Sequence, residues 1–62
     1  MIKEYDCVKA IKDLNNEVLK GCKGAVVMVY DSPTLGYEVE FFNEAHETIG
    51  VLMVYPDDIA KY

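Results

Sequence analysis

Glu38 and Glu40 stand one residue apart in YEVEFF, Asp57 and Asp58 adjoin in PDDI, and the single histidine, His46, lies among acids in NEAHET. Two carboxylates on one face of a strand are the groups that general acid–base chemistry uses. Glycosidases hold such a pair across a sugar-sized cleft. A sheet this small offers no such cleft, so Glu38 and Glu40 read as a solvated face or as a match for a partner's lysines. Asp57 and Asp58 read as caps of a tight helical turn. His46 could sense pH beside a carboxylate, yet at a hairpin tip it is a solvated turn residue. Ser32 sits in a turn of its own, so no nucleophilic triad can be assembled.

Lys20 and Lys23 flank Gly21 and Gly24 in LKGCKGAVV. A phosphate-binding loop needs wider glycine spacing and a Lys-Ser/Thr ending. It must also open a helix, whereas β-branched residues follow here. The glycines are therefore backbone devices: Gly21 takes the left-handed region, and Gly24 marks a bulge or bend where a strand begins. Cys7 and Cys22 are the only cysteines, which is too few for a disulfide framework, and the pair reads as reduced thiols. Two cysteines and one histidine do not make a zinc site. Neither a metal nor a cofactor is implied.

The elements that position these groups follow from a period of two. YDCVKAI (Tyr5–Ile11) alternates Val8 and Ala10 against Cys7 and Lys9. The polar stretch Lys12–Gly21, with two asparagines, predicts a long folded-over loop anchored by Leu14, Val18 and Leu19, although these three could share one helical face. Ala25–Tyr30 is a β-branched strand. Asp31–Gly36 carries turn chemistry, with Pro33 presetting a dihedral and Gly36 tolerating positive φ. Tyr37–Phe42 sends Tyr37, Val39 and Phe41 to one face and Glu38, Glu40 and Phe42 to the other. NEAHET forms a hairpin tip, and Ile49–Tyr55 is apolar on both faces. After Pro56 come one helical turn and a last short strand, Ala60–Tyr62. The expectation is one all-β domain over residues 1–62. It is a small barrel of about five antiparallel strands with a long loop after the first, whose closure would remove exposed edges.

Sixty-two residues allow one core and bury only about 60% of the unfolded chain's surface. No uncharged run approaches a membrane span, and the N-terminus lacks a basic region followed by an apolar run. A cytoplasmic location is expected. The charge is lopsided: residues 1–30 hold five lysines against four acids, and residues 31–62 one lysine against seven. The acidic half would repel a polyanion and suits a basic protein partner.

Asp6-x-Val8, the Leu19–Val27 stretch with Gly21 and Gly24, YEVEF at Tyr37–Phe41 and DDI at Asp57–Ile59 recur together in small Src-homology-3-like barrels. The glycine turn also resembles the KOW motif of ribosomal and transcription proteins. Over nearly its whole length the chain resembles a bacterial family of unknown function, with an MIKEYD-type start and a VVxVY…YEVEF centre. That resemblance implies no activity. Some members neighbour toxin-like genes, which implies an antitoxin or immunity-type partner. The basic, aromatic-studded surface of KOW proteins is missing here.

Apolar residues exceed what one small core can hide. Phe42 faces away from Tyr37, Val39 and Phe41, and either Val51, Met53 and Tyr55 or Leu52 and Val54 must point outward. Such patches mark association sites, unless the loop carrying Leu14, Val18 and Leu19 folds over them. The function expected is a non-catalytic protein-interaction module, pairing with another protein or with itself. In it Glu38 and Glu40 steer a partner and Phe42, Val51 and Met53 anchor it. The alternative is a nucleic-acid or ribosome accessory acting through Lys9, Lys20 and Lys23.

Overall fold

Five antiparallel strands in one sheet make up the fold of the computed structural model, which describes residues Met1–Tyr62. They are β1 (Cys7–Ala10), β2 (Lys23–Tyr30), β3 (Gly36–Phe42), β4 (Thr48–Val54) and β5 (Ile59–Lys61). Their order is β4-β3-β2-β1-β5. The sheet curls around Val8, Ala10, Val18, Val26, Tyr37, Val39, Phe41, Val54 and Ile59, all buried. The hydrogen-bonded ladder does not close: β4 and β5 each bond to one neighbour only. No helix is long and apolar enough to cross a membrane.

Residues 11–22 form the long connection, and side-chain carboxyl and amide oxygens hold it. Asn15 Oδ1 accepts from the backbone N–H groups of Glu17 (2.8 Å) and Val18 (2.6 Å), and Asp13 Oδ1 accepts from Lys20 N–H (2.8 Å). These bonds offer the backbone an alternative to a helix. Val18 is driven into the core, with Leu14 packed beside it, while Leu19 is half-exposed. The loop therefore plugs the concave side of the sheet and leaves the convex side uncovered. Gly21 ends it at φ 93°, as its freedom allows, and donates to the Ala10 carbonyl at 2.7 Å.

Two expectations about glycine are corrected. Gly24 is no bulge; it pairs in register opposite Phe41. A Cβ there would stand 2.7 Å from the Glu40 carbonyl oxygen, 2.8 Å from Val39 Cγ1 and 3.0 Å from Phe41 Cδ1. It is glycine because the Glu40 carbonyl, Val39 and the Phe41 ring together leave no room for a side chain. Gly36 is likewise a close approach: its missing side chain makes room for Tyr55 and Met53. The bulge in β2 falls between Val26 and Met28, and a second, in β4, accompanies Phe41 and Phe42 of β3.

Each bulge shifts the alternation by one. Val29 stands opposite core-facing Tyr37 and packs against the core, whereas Met28 and Tyr30 turn to the convex face. After Pro56 there is a hydrogen-bonded turn, closed by Asp58 N–H donating to the Tyr55 carbonyl at 2.8 Å. Asp58 Oδ2 accepts from Tyr55 N–H at 2.9 Å, so it braces a plain turn from behind and does not cap the helical turn expected here. At the other end, Lys3 N–H donates to Asp6 Oδ2 at 2.8 Å. This bond, with Lys61 nearby, holds the Asp6 carboxyl below its ordinary pKa.

Register also separates the thiols. Cys7 pairs opposite Ala25, and Cys22, just before β2, lies three residues from that position, about 10 Å of extended chain. That exceeds the reach of a disulfide. Cys7 is exposed, whereas Cys22 is half-buried, its thiol 3.3 Å from the Phe42 carbonyl and pushed to higher pKa by burial. Iodoacetamide is expected to alkylate Cys7 several-fold faster, giving a singly modified product mapped to Cys7 by peptide mass spectrometry. Equal rates would contradict this environment for Cys22.

Candidate functional site

The convex face of β2, β3 and β4 gathers all five residues expected at an interface. Cross-strand neighbours are fixed by the ladder. Met28 stands opposite Glu38, and Glu38 opposite Met53; Ala25 stands opposite Glu40, and Glu40 opposite Val51. Lys23 and Thr48 flank Phe42 in the same way. Each glutamate thus lies between apolar side chains on both neighbouring strands. Val51 (51%) and Met53 (50%) are half-exposed, too open to count as core. Phe42 is less exposed, at the rim of the patch.

The two carboxylates are held but not neutralised. Tyr30 O–H donates to Glu38 Oε1 at 3.3 Å, and Thr48 O–H donates to Glu40 Oε2 at 2.6 Å. The Glu38 charge beside the phenol raises the Tyr30 pKa above its ordinary value. Both ion pairs of the chain lie elsewhere, Lys12 with Asp58 and Lys61 with Asp6. Glu38 Oε2 and Glu40 Oε1 have no intramolecular donor. Negative charge framed by Met28, Val51 and Met53 can take up a cationic side chain whose stem is apolar.

Met28 and Tyr30 are members of this face that alternation alone did not assign, because the β2 bulge moves them there. Tyr55, half-exposed, extends the patch beside Gly36.

The basic residues meet just beyond the Phe42 rim of the same face, and Phe42 also borders the groove they line. Lys9 pairs opposite Lys23 across β1 and β2. Lys20 and Lys23 line an open groove of about 850 Å³ with Cys22, His46 and Tyr62. The Lys23 ammonium lies 5.6 Å from the Tyr62 ring centroid. Glu17 and Glu44 border the same groove. His46 adopts φ 63° in a turn organised by Asn43, whose Oδ1 accepts from Ala45 and Glu47 N–H groups at 2.9 and 3.0 Å. No three His, Cys, Asp or Glu side chains converge in a way that could hold a metal ion.

A family model described as a domain of unknown function (DUF4926) matches residues 4–61. The comparisons with curated proteins and with solved structures found no match. With all but four of its 62 residues inside the family match, the chain belongs to the DUF4926 family.

Proposed function

We propose that this chain is a non-catalytic protein-interaction module that docks a basic partner on its convex β2–β3–β4 face. One observation carries the reading: Glu38 and Glu40, without cationic partners, lie between half-exposed Val51, Met53 and Met28. Apolar anchors of this size contribute about 1.5–3 kcal/mol each when covered. The net charge of −5 would steer a basic protein toward them. This chain is then the antitoxin or immunity-type member of the pair, and the protein it masks in a bacterial cytoplasm is a larger, toxin-like one. The strand order and long β1–β2 connection support placing the domain among Src-homology-3-like barrels.

The test is co-expression with the products of neighbouring genes. Wild type should co-purify with one of them and relieve any toxicity it has. Phe42→Asp and Met53→Asp should remain folded by circular dichroism and lose at least tenfold in affinity. Undiminished binding by both variants would rule this face out. The nucleic-acid reading through Lys9, Lys20 and Lys23 has weaker support, since Glu17 and Glu44 share the lysine groove. It requires salt-dependent retardation of RNA or DNA.

A further inference from the structure

The geometry points to β4 as an acceptor edge: an extended segment of the partner adds beside it as a sixth strand, carrying lysine or arginine at two positions separated by one residue. This rests on the docking reading above and states how the partner is held.

Three observations converge on it. First, β4 is an outer strand of the sheet. Outside the ladder with β3, no backbone N–H or carbonyl of Thr48–Val54 takes part in a hydrogen bond. Alternate backbone groups along an edge strand point away from its single neighbour and are free to bond another chain. Second, TIGVLMV contains no charge and no proline. Natural edges are commonly guarded by lysine, proline or bulges, and β4 is regular from Gly50 to Val54. The opposite edge, β5, has only three residues and ends on Lys61, tied to Asp6 at 3.4 Å.

Third, the charges fit one occupant. An added strand would lie about 4.8 Å beyond β4 and about 9.6 Å from β3. Its convex-facing residue opposite Val51 aligns with Glu40, and the one opposite Met53 aligns with Glu38. A lysine or arginine stem at each position would lie over Val51 or Met53, its cation meeting the free oxygen of the glutamate behind. Main-chain bonds supply attachment and the paired cations supply selectivity, as in other strand-addition complexes. A second copy fits less well, because β4 would bring valine and methionine to positions that call for cations.

A capped seven-residue peptide with lysine at its third and fifth positions, between valines and threonines, tests this by fluorescence anisotropy at low salt. It should bind at least tenfold tighter than the same peptide with glutamate at both positions. Glu38→Gln/Glu40→Gln should reduce the lysine peptide's affinity at least tenfold. N-methylation of the peptide amides that face β4 should abolish binding. Bound peptide should slow hydrogen exchange of β4 amides and leave β5 amides unchanged. Equal binding of the lysine and glutamate peptides, or unchanged β4 exchange, would overturn the proposal, as would a concentration-dependent dimer on a sizing column that already protects β4. If those results came while Met53→Asp still abolished capture of the co-expressed partner, strand addition alone would fail. If Met53→Asp and Phe42→Asp both kept the partner, the docking face would fail with it.

Discussion

Phe41→Ala is expected to bring the urea unfolding midpoint far below that of wild type. Phe41 is the largest fully buried side chain, and Val8, Val26 and Val39 belong to the same buried cluster. Removing a buried phenylalanine ring costs about 3–5 kcal/mol, because the surroundings relax only partly into the cavity. Globular stability of about 0.05–0.15 kcal/mol per residue gives a chain of this length roughly 3–9 kcal/mol in all. The loss consumes about a third of that total or more. Urea titration followed by circular dichroism measures it directly. A variant melting cooperatively with a midpoint near that of wild type would show that the ring is not the centre of the core. Phe41→Leu, which retains most of the volume, should remain folded and mark the lower end of the series.

Gly24→Ala should destabilise the fold by about 1–3 kcal/mol, the range for overpacking, although it adds a single methyl group. Replacing glycine by alanine usually stabilises by about 0.4–1 kcal/mol, through the entropy of the unfolded chain. At Gly24 the new carbon would meet the Glu40 carbonyl oxygen at 2.7 Å, and a paired backbone cannot step aside as a flexible side chain can. Gly50 is the internal control. It faces Phe41 from the other side of β3, and an added Cβ there would meet nothing within 4 Å. Gly50→Ala should therefore be neutral or mildly stabilising. Thermal melts of the two variants side by side decide the matter, and equal shifts would refute the steric account.

Much of the architecture was legible because alternation is strong where one face is buried. Val8 with Ala10, and Tyr37 with Val39 and Phe41, announce their inward faces by type, and the structure buries all five. Asn15 and Asp13 likewise mark a loop, because their side chains compete with helical hydrogen bonds. Legibility fails where side-chain type no longer separates the faces. In VVMVY and IGVLMVY every residue is apolar, so phase must come from packing, and the bulges that reset it leave no compositional trace. That is why Met28 and Tyr30 were not assigned to the candidate face, whereas Glu38 and Glu40 were. Gly24 misled for a related reason: glycine signals freedom at a bend and emptiness beside a ring with the same letter.

The β2 bulge has a consequence for reading other members of this family. Val27 acts as a phase shifter, so the strand before it and the strand after it obey opposite parity rules. A relative that lacks one residue here would have to exchange its inward and outward side chains all the way to the β2–β3 turn. In an alignment of such chains, a one-residue gap at this point should be accompanied by an inverted polar–apolar pattern downstream, and a gap without the inversion would be misplaced.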